Sequence, residues 1–199
     1  MSIKGVKMFF FKKNDIKRTP TDILLSLHTE MLNYNKKYPI AGMTHYRQAR
    51  ASYLDEFLNE KVHMYSHARL EEKNIQLKKI VVELYLHYLS ISSVSKFSTV
   101  RASLKKAITG ILGIKESSSS ATIASKMHEF TQADLSGLNF HARYISQEEE
   151  RPSRFRLGGL FCFPGGESNY LKFLCKNAHK AIDNFDKFNL GQANGNSNR

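Results

Sequence analysis

Apolar residues recur with a helical period through most of the chain, and most clearly in its middle. Between residues 75 and 89 they are spaced by four, three and four positions, at Leu77, Val81, Leu84 and Tyr88. This spacing follows one face of a helix with about 3.6 residues per turn. From Ile80 to Ile91 only Glu83, His87 and Ser90 interrupt the apolar residues. A helix that is apolar on nearly all sides is surrounded by other elements. We therefore predict a buried central helix over about residues 75–89.

Further apolar stripes predict the helices that surround this one. The sequence Thr19-Pro20-Thr21-Asp22 is a typical helix start, because threonine caps, proline suits the first turn and the acid lies near the positive helix end. The predicted inward-facing residues are Leu24, Leu27, Met31 and Tyr34; Tyr46, Ala49, Tyr53, Phe57, Leu58, Val62 and Tyr65; Val100, Leu104, Ala107, Ile108 and Ile111; Ile123, Met127 and Phe130; and Leu171, Leu174, Ala178, Ile182 and Phe185.

The helical period fails between Gln132 and Gly166, and a last helix is predicted from about Ser168 to Phe185. Within the irregular segment, Leu160 to Phe163 has the composition of a short strand. The predicted fold is therefore mainly α: a compact bundle of five or six helices around residues 75–89, with an irregular segment and room for a short strand before the last helix.

The charge and composition along the chain predict three regions. Residues 1–18 form a basic N-terminal arm, residues 19–187 a helical domain with a serine-rich, flexible connection at 114–120, and residues 188–199 a disordered tail. The apolar run from Met8 to Phe11 is too short for a signal peptide. It is more typical of an edge strand or packed arm, although a basic-aromatic segment also suits contact with an anionic membrane surface. No run is long enough to cross a bilayer.

The net charge favours an acidic partner. The chain has 30 lysines and arginines against 18 acids, which gives a net charge of +12. Such a protein can bind nucleic acid, an acidic protein or an anionic membrane surface. The alternative is that the excess lysines only keep the protein soluble. Two cysteines make neither a disulfide framework nor a zinc site, so we expect a reducing compartment such as the cytoplasm.

Two helices carry rows of basic residues. Lys172, Lys176 and Lys180 are four apart on the last helix, and Arg101, Lys105 and Lys106 lie on the fourth. Residues at this spacing share one helix face, and like charges there repel each other, which a phosphate backbone would relieve. Together the rows predict a basic face, and the alternative is two solvated faces that point in unrelated directions. No motif for sequence-specific reading of DNA or RNA is present.

Candidate catalytic residues are few. Glu60, His63 and His67 share a helix face and suit a metal ion, but their order differs from that of helical zinc enzymes. Cys162 precedes a Pro-Gly-Gly turn and a helix start, a location that lowers a thiol pKa, but no arginine follows at the spacing of a phosphatase loop. We interpret these residues as helix surface and a buried small residue, and predict neither a cofactor nor a metal.

The sequence therefore favours binding over catalysis. The leading hypothesis is a helical interaction module whose basic faces bind an acidic macromolecule, with nucleic acid the favoured partner. The alternative is an adaptor for an acidic protein, including a secreted effector that acts inside another cell, and an exposed apolar patch beside the basic face would favour it. A cysteine- or metal-dependent enzyme comes third.

Overall fold

The computed structural model describes residues 18–37, 45–91, 98–150 and 166–195. Within them the chain forms seven α-helices and no strand: α1 Pro20–Lys37, α2 His45–His67, α3 Leu70–Ser90, α4 Ser98–Ile111, α5 Ser120–Thr131, α6 Ser136–Glu150 and α7 Gly166–Gly195. The predicted mainly-α class is confirmed, but the described helices number seven rather than five or six. The predicted strand at 160–163 and the basic arm at 1–17 lie outside the described residues.

Helix α3 is the buried element that the sequence predicts. Every residue from Ile80 to Ile91 is buried, and Val81, Leu84 and Tyr85 have no exposed surface. Helices α2, α4, α5, α6 and α7 all contact α3, while α1 packs on α2 and α4. Each fully buried leucine or isoleucine of this kind stabilises the fold by about 1.5–3 kcal/mol relative to an exposed one. The core is therefore built outward from α3.

Short polar motifs fix where the helices begin and end. At the start of α1, the Asp22 carboxylate accepts a hydrogen bond of 3.0 Å from the Thr19 amide, and the Asp22 amide donates to the Thr19 hydroxyl at 3.2 Å. The hydrogen bonds from Thr19 lower the pKa of Asp22. After α4, Gly113 adopts a φ of 69°, the left-handed region that favours glycine, and the Ile114 amide bonds back to Thr109 at 3.0 Å.

The prediction that residues 132–166 are irregular is wrong for residues 136–150, which form α6. Leu135, Ala142 and Ile145 are buried, and with the partly buried Leu138 they repeat at spacings of three, four and three. The Asp134 carboxylate accepts a hydrogen bond of 2.9 Å from the Ser136 amide, which starts the helix and lowers the pKa of Asp134. The apolar period is therefore present, but it is short and contains many polar residues.

Helix α7 is longer than predicted at both ends. It covers Gly166–Gly195 rather than 168–185, so residues 188–195 are helical where their polar composition predicts a disordered tail. The inward-facing stripe is as predicted over Leu171, Leu174, Ala178 and Ile182, which are all buried. Within the described residues, no helix is both long and apolar enough to cross a membrane.

Candidate functional site

Helix α7 has an apolar inner face and a basic outer face. Its buried stripe packs mainly against α3. Lys172, Lys176 and Lys180 are exposed in one row on the other side. Neither Lys176 nor Lys180 forms an ion pair with any residue that the structure describes. The predicted lysine row is therefore a solvent-facing surface in which Lys176 and Lys180 have no ion-pair partner among the described residues.

Two ion pairs join α7 to α3. Lys79 Nζ lies 2.6 Å from Asp183 Oδ1, and His179 Nε2 lies 2.7 Å from Glu83 Oε1. The ring N–H of His179 is poorly aligned with the Glu83 oxygen, so this contact is mainly electrostatic. The two pairs are one helical turn apart. From the first pair to the second, the residue number rises on α3 and falls on α7, so the two helices are antiparallel here. Asp183 lies three positions after Lys180 and seven after Lys176, on the same side of α7 as the lysine row, but its carboxylate pairs with Lys79.

Four aromatic rings cross from α6 to α7 beside the lysine row, and we call them the aromatic row: Phe140, His141, Tyr170 and Phe173. Successive ring centroids are 5.7, 6.1 and 6.4 Å apart, and the Tyr170 and Phe173 planes differ by only 18°. The Tyr170 hydroxyl lies 2.8 Å from His141 Nδ1. Burial raises the pKa of Tyr170, so the phenol keeps its proton.

The two ends of the aromatic row are open to solvent. Phe140 is 68% exposed and Phe173 is 53% exposed. Sequence reasoning did not identify these residues. Their positions in the sequence indicate exposure. Phe173 lies outside the inward-facing stripe of α7, next to Lys172, and Phe140 lies outside the inward-facing stripe of α6. A phenylalanine on the polar side of an amphipathic helix is exposed unless another element covers it.

Two of the three basic residues of α4 are engaged in contacts within the protein. The Arg101 guanidinium lies 4.5 Å from the centroid of the Tyr88 ring, and Lys106 Nζ lies 2.9 Å from Glu30 Oε1. Lys105, half-buried, has neither kind of partner among the described residues. Helix α4 packs on α1 and α3, whereas α7 packs on α2, α3 and α6. The two basic rows therefore lie on helices that do not pack side by side.

A cleft of about 350 Å³ lies between α1 and α4, and Lys106 is on its wall. The helices approach closely here, because a side-chain carbon at Gly110 would lie only 3.2 Å from Ile23 Cδ1. Burial alone would raise the pKa of Glu30, but hydrogen bonds from Ser103 and Lys106 outweigh it, so the pKa of Glu30 lies below its ordinary value. Glu30 and Lys106 thus compensate each other in this cleft.

Within the described part of the chain, His63 and His67 contact each other and Glu60 contacts Lys61, rather than a further candidate ligand. The rings of His63 and His67 stack with centroids 4.3 Å apart, His67 Nδ1 lies 2.9 Å from the His63 carbonyl oxygen, and Glu60 pairs with Lys61. Among the described residues, no three histidine, cysteine or acidic side chains form a cluster that could hold a metal ion. Cys162 lies outside the described residues, while Cys175 is buried on α7.

The described residues form a mainly α-helical fold in which exposed lysines on α7 lie beside aromatic rings of α6 and α7. No protein family, curated protein or solved structure matches the chain. The physical properties of the surface are therefore the grounds for a functional proposal.

Proposed function

We propose that this protein is a non-enzymatic interaction module, a compact helical bundle that binds nucleic acid through the outer face of α7 and the adjoining side of α6. The observation that carries the proposal is the lysine row, in which Lys176 and Lys180 are exposed and lack an internal counter-charge. Their mutual repulsion weakens the free helix slightly, and a phosphate backbone relieves it.

The charge around the lysine row supports a polyanionic partner. Beside the row, residues 136–147 and 169–185 contain a single acid, Asp183, which pairs with Lys79, while the other acids of the two helices lie towards their ends: Glu148, Glu149, Glu150, Glu167 and Asp186. The same stretches contain three lysines and Arg143. The cations of α4 are less available, because Arg101 stacks on Tyr88 and Lys106 pairs with Glu30. We therefore assign the interface to α6 and α7 rather than to both predicted rows.

The salt dependence of binding tests this proposal. We expect affinity for a mixed-sequence oligonucleotide, measured by fluorescence anisotropy, to fall steeply between about 50 and 200 mM salt. The double substitution Lys176→Gln/Lys180→Gln removes two phosphate contacts, so it should lower affinity and flatten the slope of log affinity against log salt by about 1.4–1.8.

The matched control is Lys36→Gln/Lys115→Gln, which removes the same charge from exposed positions on α1 and after α4. It should leave the slope nearly unchanged. Equal losses from both double variants would show that only bulk charge matters, and an affinity independent of salt would contradict nucleic-acid binding altogether.

A second candidate is an adaptor for an acidic protein in a reducing compartment, including an effector delivered into another cell. The specific observation in its favour is the exposure of Phe140 and Phe173 beside the lysines, since apolar patches of this kind also mark protein interfaces. A pulldown from cell lysate with and without nuclease separates the two. Capture that survives nuclease and is lost in Lys176→Gln/Lys180→Gln would support the adaptor.

A further inference from the structure

We infer that the nucleic acid is single-stranded, and that its unpaired bases stack on Phe140 and Phe173. This inference rests on the function proposed above and adds the form of the ligand to it. Proteins that hold single strands combine a cationic track for the backbone with aromatic rings for successive bases. The surface of α6 and α7 has both features side by side.

Each of the two exposed rings contacts one neighbouring ring. Phe140 meets His141 edge-on, Phe173 lies nearly parallel to Tyr170, and the hydroxyl–imidazole contact of 2.8 Å ties α6 to α7 between them. These contacts restrict the rotation of the two side chains, which lowers the entropic cost of docking a base on them.

The exposed apolar surface here is aromatic, which distinguishes it from the rest of the described surface. The other large exposed apolar side chains that the structure describes are Leu25, Leu32, Met64 and Leu70, on α1, α2 and α3. Every base has a flat π face that stacks on a ring, with about 1–3 kcal/mol lost per base when the ring is removed. Bases inside a duplex are already stacked on each other and present no free face.

The lysines lie where a strand on the rings would place its phosphates. Lys172 is adjacent to Phe173 in sequence, and Lys176 follows Phe173 by three positions, so it lies one turn along the same side of α7. Phosphates and bases of one strand are thus contacted by neighbouring side chains of one helix. An acidic protein would also satisfy the lysines, but it supplies no repeated flat faces for the rings.

The affinity test compares a single-stranded oligothymidylate with a duplex of equal length, each about 12 nucleotides long. Phe140→Ala/Phe173→Ala should weaken single-strand binding by roughly 10-fold or more, at the scale of one to two lost stacking contacts, and change duplex binding by less than about twofold. Leu70→Ala, at a side chain 87% exposed, is the control for loss of surface apolar area and should change neither. Thermal melting of each variant checks that the fold is intact.

A fluorescence test reports stacking directly. The chain contains no tryptophan, so Phe173→Trp introduces a single indole into the proposed interface. Its fluorescence should be quenched on titration with oligothymidylate, because a base stacked on the ring quenches it. The matched variant Leu70→Trp should keep its intensity.

The outcomes separate this inference from the function on which it rests. If Lys176→Gln/Lys180→Gln loses binding while the phenylalanine variants bind both ligands normally and Phe173→Trp is not quenched, single-strand stacking is overturned and nucleic-acid binding stands. If neither oligonucleotide binds with salt dependence, both proposals fail. If the phenylalanines are needed instead for capture of a protein that resists nuclease, the aromatic row is an adaptor surface and the inference is overturned.

Discussion

Helices α4 and α7 both carry basic residues at helical spacing, but the fold uses them differently. Arg101 and Lys106 on α4 contact Tyr88 and Glu30, so much of their charge is directed into the protein. Lys176 and Lys180 on α7 point to solvent, and the nearby acids Glu83 and Asp183 are taken by other partners. A row of cations is a binding surface only where the fold leaves it without counter-charge.

The comparison predicts that on α7 different residues determine stability and binding. On α4, by contrast, the basic residues contribute mainly to stability. Substitutions on the inner side of α7 and on α4 should reduce the free energy of unfolding. Substitutions in the lysine row should reduce binding and leave the fold intact. Four measurements, from the largest expected effect to the smallest, test this division.

The largest effect is expected for His179→Ala on the inner side of α7. Glu83 is only 4% exposed, so the substitution leaves its carboxylate buried without its partner. We expect the free energy of unfolding, from urea denaturation, to fall by about 2 kcal/mol. Adding Glu83→Gln should recover part of the loss. An unchanged stability would mean that this pair does not anchor α7.

Next comes Arg101→Ala on α4, which removes the guanidinium from the Tyr88 ring. The expected loss is about 1 kcal/mol, because the contact is partly desolvated and the stem of the arginine also packs. Arg101→Lys should retain part of the stability. Oligonucleotide affinity should change by less than about twofold. A loss of affinity as large as that of Lys176→Gln/Lys180→Gln would break the proposed contrast between the two helices.

A smaller effect, dependent on pH, is expected for Glu30→Gln beside Lys106. Because the folded pKa of Glu30 lies below its ordinary value of 4.5, its ionised form contributes stability above that pH, and the contribution is lost as pH falls through the folded pKa. Chemical denaturation near pH 7 should show a loss of about 0.5 kcal/mol in the variant, discounted for partial exposure. The difference between variant and parent should shrink below about pH 4.

The smallest effect has the opposite sign. Lys176→Gln removes like-charge repulsion from both Lys172 and Lys180, so the free energy of unfolding should rise by a few tenths of a kcal/mol at low salt. The gain should vanish at high salt, where surface charges are screened. A loss of stability would indicate that Lys176 is engaged within the protein after all, and the lysine row would then resemble α4.

The buried helix and most inward faces follow directly from apolar spacing. The stripe of α1, at Leu24, Leu27, Met31 and Tyr34, is buried at all four positions. The start of α1 also follows from Thr19 and Asp22, because capping is a local interaction between residues three apart. Local rules of this kind need no knowledge of the rest of the fold.

The candidate surface is harder to derive because it depends on which helices become neighbours. The contact of Tyr170 with His141 joins residues on α6 and α7, and α6 itself was not predicted. Likewise, nothing in the spacing of Lys79 and Glu83 shows that Asp183 and His179 lie opposite them. The lysine row was visible as a pattern, but that Asp183 pairs with Lys79 rather than with Lys180 depends on the register between α3 and α7.

The ion pairs between α3 and α7 also bear on how the chain folds. They join residues that are about 100 positions apart, so the contact forms only after a long intervening segment has closed. While a ribosome is still adding that segment, the side of α3 that α7 will cover remains bare. A nascent chain of this protein therefore exposes an apolar surface on α3 that ribosome-associated chaperones can bind.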